Sequence, residues 1–111
     1  AGLDAIAALR GALHQGSRPE MLVGQIASEL RVLLRARALL DSGMDEESAK
    51  RALGGRGFFV VPRARNYRQT ELERALRALA EVDVAAKTGS SSVPARLERV
   101  LLDLRPPRAT S

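Results

Sequence analysis

No cysteine occurs among the 111 residues. A disulfide framework, a thiolate nucleophile and a cysteine metal site are therefore excluded. His14 is the sole histidine, so a histidine-based metal centre is excluded as well. Tryptophan is absent, and aromatic residues make up 3% of a chain that is 45% hydrophobic. The interior has to be built from Leu, Val and Ala, which suits close-packed helices better than a sheet. No run approaches the roughly 18 apolar residues of a membrane span, and no signal-peptide pattern opens the chain. These absences point to a soluble, cytoplasmic domain with no membrane role. Lysine is also scarce: only Lys50 and Lys87 occur, so the net charge of +5 is carried by arginine. The arginines are spread over most of the chain rather than gathered in one block.

Pro19 to Asp41 is the stretch on which the rest depends. Ser17 is the expected N-cap, Pro19 stands at an early helical position and Gly43 is placed as the C-terminal stop. Such a helix is roughly 33 Å long, about the width of a small domain, and longer than any other candidate. At about 100° per residue, Leu22, Ile26, Leu30, Leu33 and Leu40 fall together, widened by Val23, Ala27 and Leu34. Met21, Val32 and Leu39 form a second, narrower strip flanked by Arg31 and Arg35. Two readings of that strip stand: cover by another helix of the domain, or contact with another subunit.

The remaining elements follow in order. A first helix is expected from Leu3 to His14, with Ile6, Leu9 and Leu13 inward and Ala5 and Ala12 beside them. The short turn after it makes it an antiparallel neighbour of the long helix. His14 suits the negative end of its own helix. Asp45 can N-cap a third helix with Ser48 three residues on. Ala49, Ala52 and Leu53 are expected inside it, with Lys50 and Arg51 wet. Gly54-Gly55-Arg56-Gly57 reads as a turn, because a phosphate-binding loop needs a preceding strand and a following Gly-Lys-Ser/Thr helix start. Lys87-Thr88 fails the same test.

Phe58 to Tyr67 admits two readings: an extended wedge to Val61 followed by a short helix from Pro62, or one helix from about Phe58 with Pro62 in its first turns. Either way Phe58 or Phe59 is expected in the core. Arg63, Arg65 and Arg68 form the densest basic cluster, which is either a solvated face or a weak nucleic-acid patch. Thr70 with Glu73 reads as a capping box for a helix from Glu71 to about Thr88. Leu72, Leu76, Leu79 and Ala80 are its stripe, and Asp83 on that stripe calls for a partner such as Lys87. After a Ser90-Ser91-Ser92 linker, the last helix runs from Val93 to about Leu104. Leu97, Val100, Leu101 and Leu104 face inward there and Leu102 faces away. No acid pair, nucleophile–base pair or metal set is present, so no catalytic residue is assigned. The expectation is an all-α antiparallel bundle of five to six helices over residues 1–104, with a flexible tail over 105–111. No initiator methionine stands at Ala1-Gly2, and a piece of a longer protein, its N-terminal domains missing, is expected.

This order of helices and turns resembles the C-terminal collar domain of the delta subunit of bacterial DNA polymerase III. The resemblance covers about Leu3 to Leu104. It is carried by Ile26 to Gly43 with its Leu-Leu-Arg-Ala-Arg-Ala-Leu-Leu run, by Thr70 to Ala80, and by Asp83 with Lys87-Thr88-Gly89. Arg96 to Leu102 completes it. Pro62 departs from the pattern, where an uninterrupted helix is expected. The resemblance implies an oligomerisation domain of the clamp loader, joining gamma or tau and delta prime in a ring of helical bundles. It implies no cofactor and no catalysis in this segment, within a subunit of a DNA-directed DNA polymerase holoenzyme. Contacts with the sliding clamp and DNA would belong to parts of the parent outside this chain. The expected interface residues are Met21, Arg31, Val32, Arg35, Leu39 and Leu102.

Overall fold

The computed structural model describes residues 5–89 and 92–104. Within them the chain is all-α, with no strand among the described residues. Six α-helices follow one another: α1 (Ala5–His14), α2 (Pro19–Asp41), α3 (Glu46–Leu53), α4 (Gly57–Ala64), α5 (Gln69–Lys87) and α6 (Val93–Asp103). A 3₁₀ turn over Gly54–Arg56 joins α3 to α4. The expected start at Leu3, the side chains of Ala5 and Ile6, Ser90-Ser91 and the tail over 105–111 lie outside the described residues.

Helix α2 is the spine. It packs on all five other helices, most extensively on α5 and then α4. Its limits are the expected ones, because Pro19 at the first helical position loses no hydrogen bond and Gly43 supplies the left-handed stop. With Gly43 at φ 99°, its N–H reaches Leu40 O at 3.0 Å and the Met44 N–H reaches Leu39 O at 3.2 Å. The N-cap expected at Ser17 is instead Arg18, whose side chain makes no capping bond. Pro19 presets the first turn without one.

The core is aliphatic apart from buried Tyr67, as the scarcity of aromatics requires. Ile26, Leu30, Leu33, Leu72, Leu79, Leu97 and Leu101 are its largest fully buried side chains, with Val61 beside them. Leu104 and Val100 are buried and Leu102 is half-buried, in keeping with the inward set read for the last helix. Ala52 and Ala80, expected inside, are exposed. Ala36, unassigned by the stripe, is fully buried.

The two phenylalanines correct the sequence reading. Neither plugs the core: Phe58 is 66% and Phe59 64% exposed. The reason is helical phase. Of the two readings, the single helix is observed: α4 starts at Gly57 and continues through Pro62. Val60, Val61 and Ala64 then share its inner face, and Phe58, Phe59 and Pro62 share the outer one. The hydrogen bond that Pro62 cannot donate would have gone to the Phe58 carbonyl, on the wet side where water can replace it. Gly57 permits the tight α3–α4 packing, since a Cβ there would collide with the Lys50 carbonyl oxygen and approach Leu53 Cβ at 3.0 Å.

Candidate subunit-contact surface

Local chemistry fixes how each helix presents its outer residues. The Asp45 carboxylate accepts from the Ser48 hydroxyl at 2.7 Å and from the Ser48 N–H at 3.1 Å. Those two bonds, the hydroxyl first, hold its pKa below the usual carboxylate value. Along α3, Lys50 Nζ lies 3.0 Å from Glu47 and 3.7 Å from Glu46. The hydrogen bond to Glu47 raises the Lys50 pKa above its ordinary value. Helix α5 starts at Gln69, two residues before the expected Glu71. Its cap is accordingly shifted from Thr70–Glu73 and is one-sided: the Glu71 carboxylate accepts the Arg68 N–H at 2.7 Å, and the Arg68 side chain makes no capping bond. At the far end, Asp83 and Lys87 make the expected ion pair at 2.9 Å. His14, at the end of α1, reaches Glu98 of α6 at 2.7 Å.

The interface set read from the sequence divides in two. Met21, 61% exposed, stands outside with Arg31 and Arg35 on α2. Val32 and Leu39 are half-buried and packed against the core; they lie at the edge of the covered face, beside buried Ala36 and Glu29. Leu102 is half-buried on a different helix, α6. Arg31 also lines an open groove of about 360 Å³ between α2 and α5, together with Glu20, Val23, Ala27, Leu79 and Asp83.

The basic cluster is tied to carboxylates of the same chain. Arg63 lies 3.5 Å from Glu29, and Arg65 lies 3.1 Å from Glu46. Arg68 is exposed at the start of α5. Glu29 was missed by the sequence reading. It is 8% exposed and takes a second guanidinium, Arg56, at 3.0 Å. Its signal was available: Glu29 stands seven residues after Leu22 and four before Leu33, on the core stripe, where a carboxylate needs partners. Arg37 closes the same region, donating to the Ala64 and Tyr67 carbonyls at 3.3 and 3.4 Å and pairing with Asp41 at 2.8 Å. No group of three or more His, Cys, Asp or Glu residues able to hold a metal occurs among the described residues. No described helix is long and apolar enough to cross a membrane.

The surface is thus one of ion pairs with a few exposed apolar side chains, Met21 and the Phe58–Phe59 pair among them, around a helical hub. The family described as DNA polymerase III delta subunit, C-terminal domain, matches residues 3–104. The chain belongs to that family. The match spans all six helices, so the delta C-terminal domain and the bundle described above are one unit. No curated protein and no solved structure gives a significant match to the chain.

Proposed function

We propose that this delta C-terminal domain is an assembly module of the clamp loader, which places the sliding clamp on primed DNA during replication. It joins gamma or tau and delta prime through lateral contacts between helical bundles, in the bacterial cytoplasm. The parent is a subunit of the DNA-directed DNA polymerase III holoenzyme, and other parts of that parent touch the clamp and DNA. The observation that carries this reading is the family match across the whole bundle, on a chain whose organising helix also offers Met21, Arg31 and Arg35 outward. Val32 and Leu39 are the half-buried border of the proposed α2 seam, and half-buried Leu102 is a separate proposed contact on α6.

Size-exclusion chromatography of the chain with the purified loader subunits of the same genome tests it. Co-elution is expected, and Met21→Asp weakens it without unfolding the domain. Elution of the wild-type chain alone at every concentration removes the reading. The competing reading, a basic DNA-binding domain, rests on Arg63, Arg65 and Arg68. The pairing of Arg63 with Glu29 and of Arg65 with Glu46 weighs against it, because phosphate would have to displace carboxylates already in place.

A further inference from the structure

Phe58 and Phe59 are the only phenylalanines of the chain, and both are spent on the surface. Their rings meet edge to face with centroids 5.4 Å apart. Exposed Pro62 lies between them on the same face of α4. The pair is not loosely held. Gly57 draws α4 onto α3, Arg56 and Arg63 fasten both ends of the segment to Glu29 on α2, and Arg37 holds the carbonyls at its end. Lys50 Nζ sits 5.2 Å from the Phe58 centroid and covers one face of that ring. A rigid aromatic pair pays little ordering entropy on binding, which is the character of an interface anchor.

The charge around the rings specifies the partner. From Ser48 to Thr70 the sequence holds Lys50, Arg51, Arg56, Arg63, Arg65 and Arg68 and no Asp or Glu. Four of these cations share three carboxylates: Arg56 and Arg63 share Glu29, Arg65 and Lys50 share Glu46, and Lys50 also takes Glu47. Arg51 bonds only to the Ser48 hydroxyl among the described contacts. The segment that carries the apolar pair thus holds six cations against three ion-paired carboxylates, and Lys50 is the cation that lies on a ring of the pair.

We propose that Phe58 and Phe59 are the anchor of a protein–protein contact, inserting into an apolar pocket with a carboxylate-bearing rim on a neighbouring loader subunit. This rests on the assembly reading above and gives it a second, more apolar contact surface than the α2 strip. Single-stranded nucleic acid fits less well. Base stacking needs open ring faces, and here Lys50 already occupies one face of Phe58 and the two rings meet edge to face instead of forming a flat platform.

The test uses the intact subunit that carries this domain, the other purified loader subunits of the same genome, and the double variant Phe58→Ala/Phe59→Ala. Affinity is read by sedimentation velocity across a concentration series. The wild type assembles, and its affinity falls as salt is raised. The double variant keeps the wild-type melting temperature and loses affinity on the order of 100-fold. Failure of the wild type to assemble overturns the assembly reading itself. Assembly of wild type and double variant with equal affinity overturns this anchor alone. Two further outcomes also overturn it: a wild-type homodimer abolished by the double variant with mixed assembly intact, or oligo(dT) binding that the double variant loses while assembly is unchanged.

Discussion

Arg56 reaches across from the α3–α4 turn to place its guanidinium 3.0 Å from the Glu29 carboxylate, midway along α2. Arg63 approaches the same carboxylate at 3.5 Å from inside α4. One nearly buried acid thus fixes α4 in both position and rotation on the spine, and with it the direction in which Phe58 and Phe59 point.

Removing that acid should loosen α4 without emptying the core. Both guanidinia retain access to water, so their orphaning costs less than that of a sealed pair. Glu29→Ala is expected to lower stability by about 1–2 kcal/mol, or roughly 5–10 °C in melting temperature. Glu29→Gln keeps hydrogen-bond acceptance and costs less. Thermal unfolding followed by circular dichroism checks both. Equal stability of Glu29→Ala and wild type would show that the pairs contribute nothing.

Two glycines should respond oppositely to the same substitution. At Gly57 an added methyl meets the Lys50 carbonyl and Leu53, so α3 and α4 must separate. Gly57→Ala is expected to cost about 2–3 kcal/mol. Gly24 has nothing within 4 Å of its would-be Cβ and lies inside α2, so Gly24→Ala should stabilise by about 0.5–1 kcal/mol. Urea unfolding midpoints separate the two, and a shift of the same sign at both positions contradicts the account.

Asp45 offers a pH test of the α3 cap. Its folded-state pKa is depressed by the Ser48 hydroxyl and N–H, so its contribution is present above the ordinary carboxylate pKa and is lost as pH falls through the lower folded value. Asp45→Ala should therefore melt earlier than wild type at pH 7. The gap should narrow as pH falls below about 4. A gap that stays constant down to pH 2 would mean that charge plays no part in the cap.

The arginines near Tyr67 should give little DNA affinity. Fluorescence anisotropy with a labelled oligonucleotide is expected to be flat at about 150 mM salt, with at most a weak rise at low salt. Tight binding at physiological salt, reduced by Arg68→Ala, would restore the nucleic-acid reading of this cluster.

The sequence made some elements legible because their determinants are local. Pro19 and Gly43 mark the two ends of α2 by backbone geometry alone, and the Asp45–Ser48 cap and the Asp83–Lys87 pair depend on residues three and four apart. What was not legible depends on contacts distant in sequence. Whether Phe58 or Val61 faces inward turns on the register at which α4 begins. Gly57 sets that register by fitting against Lys50 on another helix. Glu29 stood on the apolar stripe, yet its partners Arg56 and Arg63 lie beyond α3, in the 3₁₀ turn and in α4. Val32 and Leu39 shared a strip with Met21 by angle, and only the packing of the other helices on α2 separates half-covered from exposed.

The central claim is that this domain exists to join other subunits. Native mass spectrometry of the parent subunit mixed with its purified loader partners tests it most directly. A mixed assembly of the subunit with those partners is expected, depleted by Met21→Asp and by Phe58→Ala/Phe59→Ala. Detection of the wild-type subunit solely at its own monomer mass, under conditions where the partners assemble, would contradict it.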